Sequence, residues 1–239
     1  MSVENGEWIM RGLAWDDPYR IRTWRELVNW INEVGFLPLF GNEITGFSVE
    51  EHVSPDFWWT GDREQDPWEW RELIARSREV AYGKFFGKKA GFISLEWLPY
   101  FANARRDGYD FDSLYEEGLA NARSKRIMDV FSDVAGDWKD ELIFSTELKK
   151  LAGFGKEGAK NFPGVVTDLQ MQLYLVVVDF KRRQNKRGGE YGMAVWGYAA
   201  VTAAYSESPE DSARRIAAQI RKHWTSADEK AIWRMVGRR

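Results

Sequence analysis

The chain has 239 residues, 44% of them hydrophobic, and its formal net charge is −3. This length and composition predict a folded protein of one large domain or two small ones. No apolar run reaches the roughly eighteen residues that a membrane-spanning helix needs. The N-terminus lacks a basic start followed by an apolar stretch, so we expect no signal peptide and a cytoplasmic protein.

Cysteine is absent, and histidine occurs only at His52 and His223. The missing cysteine excludes disulfides and thiolate metal sites and fits a reducing compartment. Two histidines far apart in sequence argue against a structural zinc site and against a Ser/His/Asp triad. No glycine-rich phosphate loop is present either. We therefore expect neither a metal nor a cofactor.

The charges are unevenly distributed along the chain. Residues 1–70 carry 5 basic and 14 acidic side chains, whereas residues 147–190 carry 9 basic and 5 acidic ones. A basic segment inside an acidic protein predicts a local surface for an anionic partner. The net charge of −3 argues against a protein that coats DNA generally.

The N-terminal third mixes irregular segments with two predicted helices. Residues 1–22 are irregular and acidic, whereas apolar positions over 24–34 recur with the helical period before Gly35, a plausible helix end. Residues 36–66 show no clear period, which predicts a long ordered loop or a few short strands. A proline then starts a predicted helix over about 67–78.

The remaining elements outside the basic segment are a hairpin and helices. Residues 79–94 predict a β-hairpin around the turn GKKAG. A helix is expected over 95–106, with Ser94 as its cap, and another over roughly 113–133, with a candidate break near Gly118. Two more helices, over about 209–224 and 227–236, close the chain.

Residues 144–199 have the pattern of a winged helix-turn-helix. The pattern predicts a short helix that ends at Gly153, a second helix over about 162–173 and a strand over 174–180. A basic turn with two glycines and a second strand follow. A helix-turn-helix unit with such a hairpin is usually built to hold nucleic acid.

The cations of this segment suit phosphate contacts, which give affinity without reading sequence. The alternatives are a solvated hairpin edge that discourages strand pairing and a winged helix that docks a protein. Arg105 and Arg106 are a further pair that we expect to meet phosphate or to pair with Asp110 and Asp112. The candidate DNA-binding residues are Lys149, Lys150, Lys156, Lys160, Thr167, Lys181, Arg182, Arg183, Lys186 and Arg187.

The second helix of the segment is poorly suited to reading bases. Its predicted core face holds valine and leucine, and its predicted outer face holds Gly164, Thr167, Asp168 and Met171. Arginine and asparagine, the usual base readers, are missing from that outer face. Asp168 is expected to repel phosphate. We therefore expect recognition of damage or structure rather than of an operator sequence.

Three stretches together resemble a known family. They are residues 66–120, LAGFGKEGAKNFPGVVTDLQMQ at 151–172, and the two strands YLVVVDFKRR and GGEYGMAVWGY. Over about residues 36–200 the chain resembles bacterial proteins of the AlkZ-related family, relatives of the winged-helix DNA glycosylases AlkZ and YcaQ. The resemblance implies tandem winged helices, DNA as the partner, and excision of alkylated bases or unhooking of crosslinks.

Those glycosylases carry a Gln-x-Gln or Gln-x-Asp motif near the reaction centre, placed near the N-terminus. This chain has one Gln-x-Gln, Gln170-Met171-Gln172, at the end of the predicted second helix. The resemblance makes Gln170 and Gln172 the candidate catalytic residues, which would hold a water for cleavage of the N-glycosidic bond. The alternative is that both are surface or capping side chains.

Tryptophans beside carboxylates form a second candidate site. Such rings can line a base pocket, where stacking contributes about 1–3 kcal/mol per base. Packing in the core and between domains is the interpretation that we favour. The candidate pocket residues are Trp58, Trp59, Asp66, Trp68, Glu69 and Trp70.

Together these patterns predict an α+β fold, mainly helical, with a winged helix-turn-helix, flanking helices and an additional N-terminal β-hairpin. The expected domains are a Trp-rich region at 1–118, the winged helix at 119–205 and C-terminal helices at 206–239. The predicted function is DNA binding, with base-excision repair as the enzymatic possibility. The alternatives are a non-catalytic module, either a transcription regulator or a protein-docking domain, and a small-ligand pocket lined by tryptophans. The oligomeric state is left open.

Overall fold

The structure is a computed structural model that describes residues 2–4, 7–132, 142–184 and 190–237. Side chains are described for residues 9–132, 142–181 and 195–237. The helices and strands of the first half are β1 (Ser2–Glu4), β2 (Glu7–Ile9), α1 (Trp24–Val34), β3 (Phe36–Pro38), α2 (Pro67–Ser77), β4 (Val80–Phe86) and β5 (Lys89–Ser94). The rest are α3 (Leu98–Arg106), α4 (Phe111–Glu116), α5 (Ala122–Ser132), β6 (Ile143–Phe144), α6 (Ser145–Leu151), α7 (Phe162–Met171), β7 (Leu175–Gln184), β8 (Glu190–Ala200), α8 (Pro209–His223) and α9 (Glu229–Val236).

Six strands form one antiparallel sheet in the order β3-β5-β4-β7-β8-β6, and β1 pairs with β2 separately. The hairpins expected at 79–94 and within 144–199 are both present. They join through β4 and β7, which pair where Tyr82 faces Val177. One sheet therefore contains strands from both sides of residue 118. The division at 118 and 205 into three domains stays a prediction.

The two halves of the sheet share one connectivity. In the first half, α1 leads to the short strand β3, then to α2 and the β4–β5 hairpin, and β3 pairs with β5. In the second half, α5 leads to β6, then to α6, α7 and the β7–β8 hairpin, and β6 pairs with β8. Because β4 and β7 are antiparallel neighbours, they run toward opposite ends of the sheet.

Most predicted helices are confirmed, and one prediction was wrong at its boundary. Ser94 does not cap a helix: it ends β5, where its amide donates to the Gly35 carbonyl at 2.8 Å, and α3 begins only at Leu98. The helix expected over 113–133, with Gly118 as its candidate break, is divided into α4 and α5. Gly118, with φ of 73°, lies between α4 and α5 in a left-handed conformation that ends the first of them.

Two arginines in the last turn of α3 hold the C-terminal ends of two other helices. Arg105 donates from Nε to the Val236 carbonyl at 2.8 Å and from Nη2 to the Met235 carbonyl at 2.9 Å, both in α9. Its Nη1 reaches the carbonyls of Phe85 at 2.7 Å and Met171 at 3.2 Å. Burial lowers the pKa of Arg105 to about 9, so the guanidinium stays charged at neutral pH.

Arg106 performs the same task for α7. It is 4% exposed and donates to the carbonyls of Gln172, Leu173 and Val201. Its guanidinium also stacks on the Tyr174 ring at 4.3 Å. Carbonyls at a helix C-terminus lack partners within the helix and carry the negative end of its dipole, so these contacts are favourable. The expected contacts of both arginines with phosphate or with Asp110 and Asp112 are replaced by these carbonyls.

The Arg106 contacts generate a stability prediction. Arg106→Lys should lower the free energy of unfolding by about 3 kcal/mol, because lysine cannot satisfy several carbonyls in different directions and leaves buried acceptors unpaired. Arg214→Lys is the matched control, since Arg214 is exposed on α8 and, among the described residues, pairs with Asp211 alone, across one helical turn. Denaturant unfolding followed by circular dichroism measures both. Equal free energies of unfolding for the two variants would show that the contacts of Arg106 with the carbonyls do not stabilise the fold.

Candidate nucleic-acid interface

The connection between α6 and α7 is an ordered loop. The rings of Phe154 and Phe162 pack edge to face with centroids 5.4 Å apart and fasten the loop to the start of α7. Lys160 turns its ammonium back onto the loop, where it donates to the Gly155 carbonyl at 2.7 Å and to the Lys156 carbonyl. The loop therefore holds its cations in a defined place beside the first turn of α7.

Four lysines of this region are exposed and one more adjoins it. Lys149, Lys150, Lys156 and Lys160 are exposed, and none makes an ion pair with a carboxylate in the part of the chain that the structure describes. Lys181 of β7 places its ammonium 5.4 Å from the centroid of the Phe144 ring, directly before α6. We call Lys149, Lys150, Lys156, Lys160 and Lys181 the basic surface.

For four further candidate DNA-binding residues, the side chain lies outside the described part of the chain. Lys186 and Arg187 lie outside the described residues. Arg182 and Arg183 belong to β7, where they pair with Ala194 and Tyr191 of β8, but their side chains are outside the described part. All four stay sequence predictions of DNA contact.

The outer face of α7 is largely occupied. Thr167 is buried, and its hydroxyl donates to the Pro163 carbonyl at 2.8 Å, so it does not point at solvent as expected. Asp168 pairs with Lys88 of the first hairpin turn at 3.2 Å. The amide of Lys88 also donates to the Met171 sulfur at 3.1 Å. The turn of the first hairpin thus covers the C-terminal half of α7 and offsets the charge of Asp168.

Gln170 is a structural link between α7 and β4. It is 1% exposed, its Oε1 accepts from the Lys84 amide at 3.0 Å, and its Nε2 donates to the Val166 carbonyl at 3.2 Å. Both polar atoms therefore have backbone partners inside the protein. The catalytic role of Gln170 stays a prediction, and this geometry supplies it with no exposed atom for a water.

Gln172 lies on the other side of the helix end. It caps α7 and lines a cleft of 670 Å³, together with Lys88, Asp107, Tyr109, Asn121 and other residues of α3, α4, α5 and α7. Residues two apart at a helix end point about 200° apart, which separates the two glutamines. The structure therefore does not bring Gln170 and Gln172 together.

The tryptophan region is packed rather than hollow. Trp70 is fully buried and Trp58 is 6% exposed, whereas Trp59 is 50% exposed. Trp58 and Trp68 each lie against Phe40, with ring centroids 5.4 Å and 6.4 Å away. Glu69 is also buried.

Asp66 caps α2 and is fully buried. It accepts from the amides of Trp59, Gly61 and Trp68 at 3.1, 2.9 and 2.8 Å. With this carboxylate satisfied and most of the rings in contact, the predicted base pocket is not evident at these residues.

Among the described residues, no group of three or more His, Asp or Glu side chains is arranged to hold a metal ion. Within the same ranges no helix has the length and apolar character needed to cross a membrane.

Comparison with known proteins identifies the family. The family model described as AlkZ related matches residues 21–237, which is most of the chain. The chain therefore belongs to the AlkZ-related family, and this membership relates it to DNA glycosylase-like proteins. The sequence resemblance over residues 36–200 is confirmed and extended at both ends. No curated protein and no solved structure matches the chain.

The two glutamines generate a paired prediction. Gln170→Leu should lower the free energy of unfolding by about 2 kcal/mol, because the Lys84 amide loses its acceptor in a buried place. Gln172→Ala should change it by less than about 0.5 kcal/mol, as is usual for a side chain that is not buried. Denaturant titration of both variants measures the difference. A stable Gln170→Leu would show that the buried amide is not needed.

Proposed function

We propose that this chain is a winged-helix DNA-binding protein whose basic surface contacts the phosphate backbone. The single observation that carries the proposal is the set of exposed lysines on α6 and the α6–α7 connection, beside the β7–β8 hairpin, that make no ion pair with a carboxylate among the described residues. Lysines at this position supply affinity and salt dependence without sequence reading. The sequence adds Arg182, Arg183, Lys186 and Arg187 to the same hairpin.

The order of elements supports this assignment. A short strand, two helices and a hairpin follow one another in the second half, and the short strand pairs with the second hairpin strand. The first turn of α7 has no side-chain cap, so its amides and the positive end of its dipole face the lysine-bearing loop. An anion is favoured at this end of α7.

Backbone recognition fits better than base reading. The outer face of α7 carries Asp168, which pairs with Lys88, and Thr167, which is buried. No arginine or asparagine follows Asn161 within α7. The proposed protein therefore binds duplex DNA by shape and charge, as expected for a protein that searches for damage.

The double variant Lys149→Ala/Lys150→Ala tests the basic surface. It should weaken binding to a duplex of random sequence on the order of tenfold at low salt and reduce the slope of log K against log salt by up to about 2. Fluorescence anisotropy at several salt concentrations measures both quantities.

The matched control is Lys222→Ala/Lys230→Ala, which removes two exposed lysines from α8 and α9. The control should bind DNA as the wild type does. Equal losses in the two double variants would show that only net charge matters, and the proposed interface would then be wrong.

Base excision is the activity that the family relation suggests, and the placement of the two glutamines supports a non-catalytic module as a second candidate. Gln170 is buried and bonded to backbone, and Gln172 points into a different region. Gln172 on the 670 Å³ cleft is the glutamine that remains available to hold a water near an extruded base. We propose base excision as the first candidate and a non-catalytic module as the second.

Alkylated and crosslinked duplexes distinguish the two candidates. An active glycosylase should leave abasic sites that are cleaved on heating with base, and Gln172→Ala should reduce their formation at least about a hundredfold while leaving DNA binding intact. If the wild type binds these duplexes but leaves no abasic sites, the protein belongs to the non-catalytic class.

A further inference from the structure

The helix that precedes the hairpin begins differently in the two halves of the sheet. At the start of α2 the Asp66 carboxylate accepts three backbone amides, whereas the start of α7 has no side-chain cap. A carboxylate already occupies the anion-binding end of α2. The first half therefore lacks the feature that favours phosphate in the second half.

Large aromatic rings face solvent at this same end. Trp15 is 59% exposed and Trp59 is 50% exposed. Trp15 packs on Phe57 with centroids 6.3 Å apart, and Trp59 packs on Trp58 at 5.7 Å. We call Trp15, Phe57 and Trp59 the aromatic end. Exposed aromatics grouped in this way are typical of binding surfaces.

Trp59 is held outward by the backbone. Its φ of 61° lies in the left-handed region, which a bulky side chain seldom adopts. Its amide donates to Asp66 at 3.1 Å, so the buried cap of α2 fixes this conformation. The half-exposed ring also lies against the rings of Trp58 and Trp68, with centroids 5.7 Å and 6.5 Å away.

The aromatic end is also acidic. Asp16, Asp56, Asp62 and Glu64 are exposed around it, and none pairs with a lysine or arginine among the described residues. Hydrogen bonds from the Glu64 amide and the Gln65 side chain lower the pKa of Asp62, which keeps it charged. Arg63 is the one exposed cation within residues 54–66.

The chain already places two of its own guanidinium groups on aromatic rings of this region, one on the aromatic end and one on Trp68. Arg20 lies 5.2 Å from the Trp15 ring centroid and 5.4 Å from that of Phe57. Arg71 lies 3.8 Å from the centroid of Trp68. Guanidinium groups are attracted to the faces of such rings, and nearby carboxylates add to the attraction.

We propose that the aromatic end is a docking site for an arginine-rich segment of a partner protein. Exposed rings give stacking faces for guanidinium groups, and the surrounding carboxylates complement their charge. The same carboxylates repel the phosphates of a nucleic acid, which disfavours stacked nucleobases there. This site is independent of the proposed DNA binding.

The two surfaces lie apart. Arg76 in the last turn of α2 bonds Asp179 and the Phe180 carbonyl of β7, directly beside Lys181. Asp66 caps the other end of α2, and eleven helical residues span about 16 Å. A partner at the aromatic end therefore leaves the basic surface accessible, so both can be occupied on one molecule.

A short fluorescein-labelled peptide of alternating glycine and arginine probes the site on the full chain. Trp59→Ala should weaken its binding about fivefold or more, and Trp15→Ala should act in the same direction. Trp233→Ala is the matched control, because Trp233 is 40% exposed on α9, and it should bind as the wild type does. The same peptide with citrulline in place of arginine should not bind.

Trp59→Gly separates docking from folding, because glycine adopts positive φ without strain. It should keep the wild-type melting temperature and still lose peptide binding. Equal peptide binding by the wild type and Trp59→Ala overturns the proposal. So does tighter binding of a single-stranded oligonucleotide that Trp59→Ala weakens, since the site would then take nucleobases. Because Lys149→Ala/Lys150→Ala should not affect the peptide, failure here is distinct from failure of the proposed DNA binding.

Discussion

Two neighbouring arginines at the end of α3 fix the arrangement of the second half of the protein. Adjacent helical residues point about 100° apart, so one turn can hold two different helix ends. Arg105 takes the carbonyls that end α9, and Arg106 takes those that follow α7. Both guanidinium groups are charged donors matched to the negative ends of helix dipoles. The C-terminal end of α7 is held inside by these contacts, and its N-terminal end, which has no side-chain cap, directly follows the lysine-bearing loop.

The antiparallel pairing of β4 with β7 orients the two halves of the sheet in opposite directions. Each half has the same order of short strand, helix and hairpin, yet their strands run to opposite ends of the sheet. At one end the start of α7, which has no side-chain cap, adjoins exposed lysines, and at the other a buried aspartate caps α2 beneath exposed tryptophans. The same local connectivity thus supports surfaces of opposite charge. Their separation along α2 is the physical basis for proposing two different partners on one molecule.

The Gln-x-Gln motif shows that two residues close in sequence can take separate places in the fold. The family match over residues 21–237 is secure. Within it, Gln170 faces β4 and uses both polar atoms on backbone groups, while Gln172 borders the cleft. Two residues at this spacing act together on a strand or in a loop, where alternate side chains share a face. At a helix end two such residues point in different directions, so Gln170 and Gln172 do not form one group of polar atoms.

Local sequence patterns were enough to predict most of the helices and both hairpins, since their causes lie within a few residues. The apolar period predicted α1 and α7, a proline predicted the start of α2, and turn residues predicted both hairpins. The exposed lysines of the α6–α7 connection were equally predictable, because charged residues in a polar loop face water. The tertiary structure decided the rest: Arg105 and Arg106 turned onto backbone carbonyls, Thr167 left the surface, Asp168 gained Lys88, and Trp59 remained half exposed while Trp58 and Trp70 became buried. Each of these outcomes depends on a partner distant in sequence or on an unusual backbone angle, and neither leaves a periodic signal in the chain.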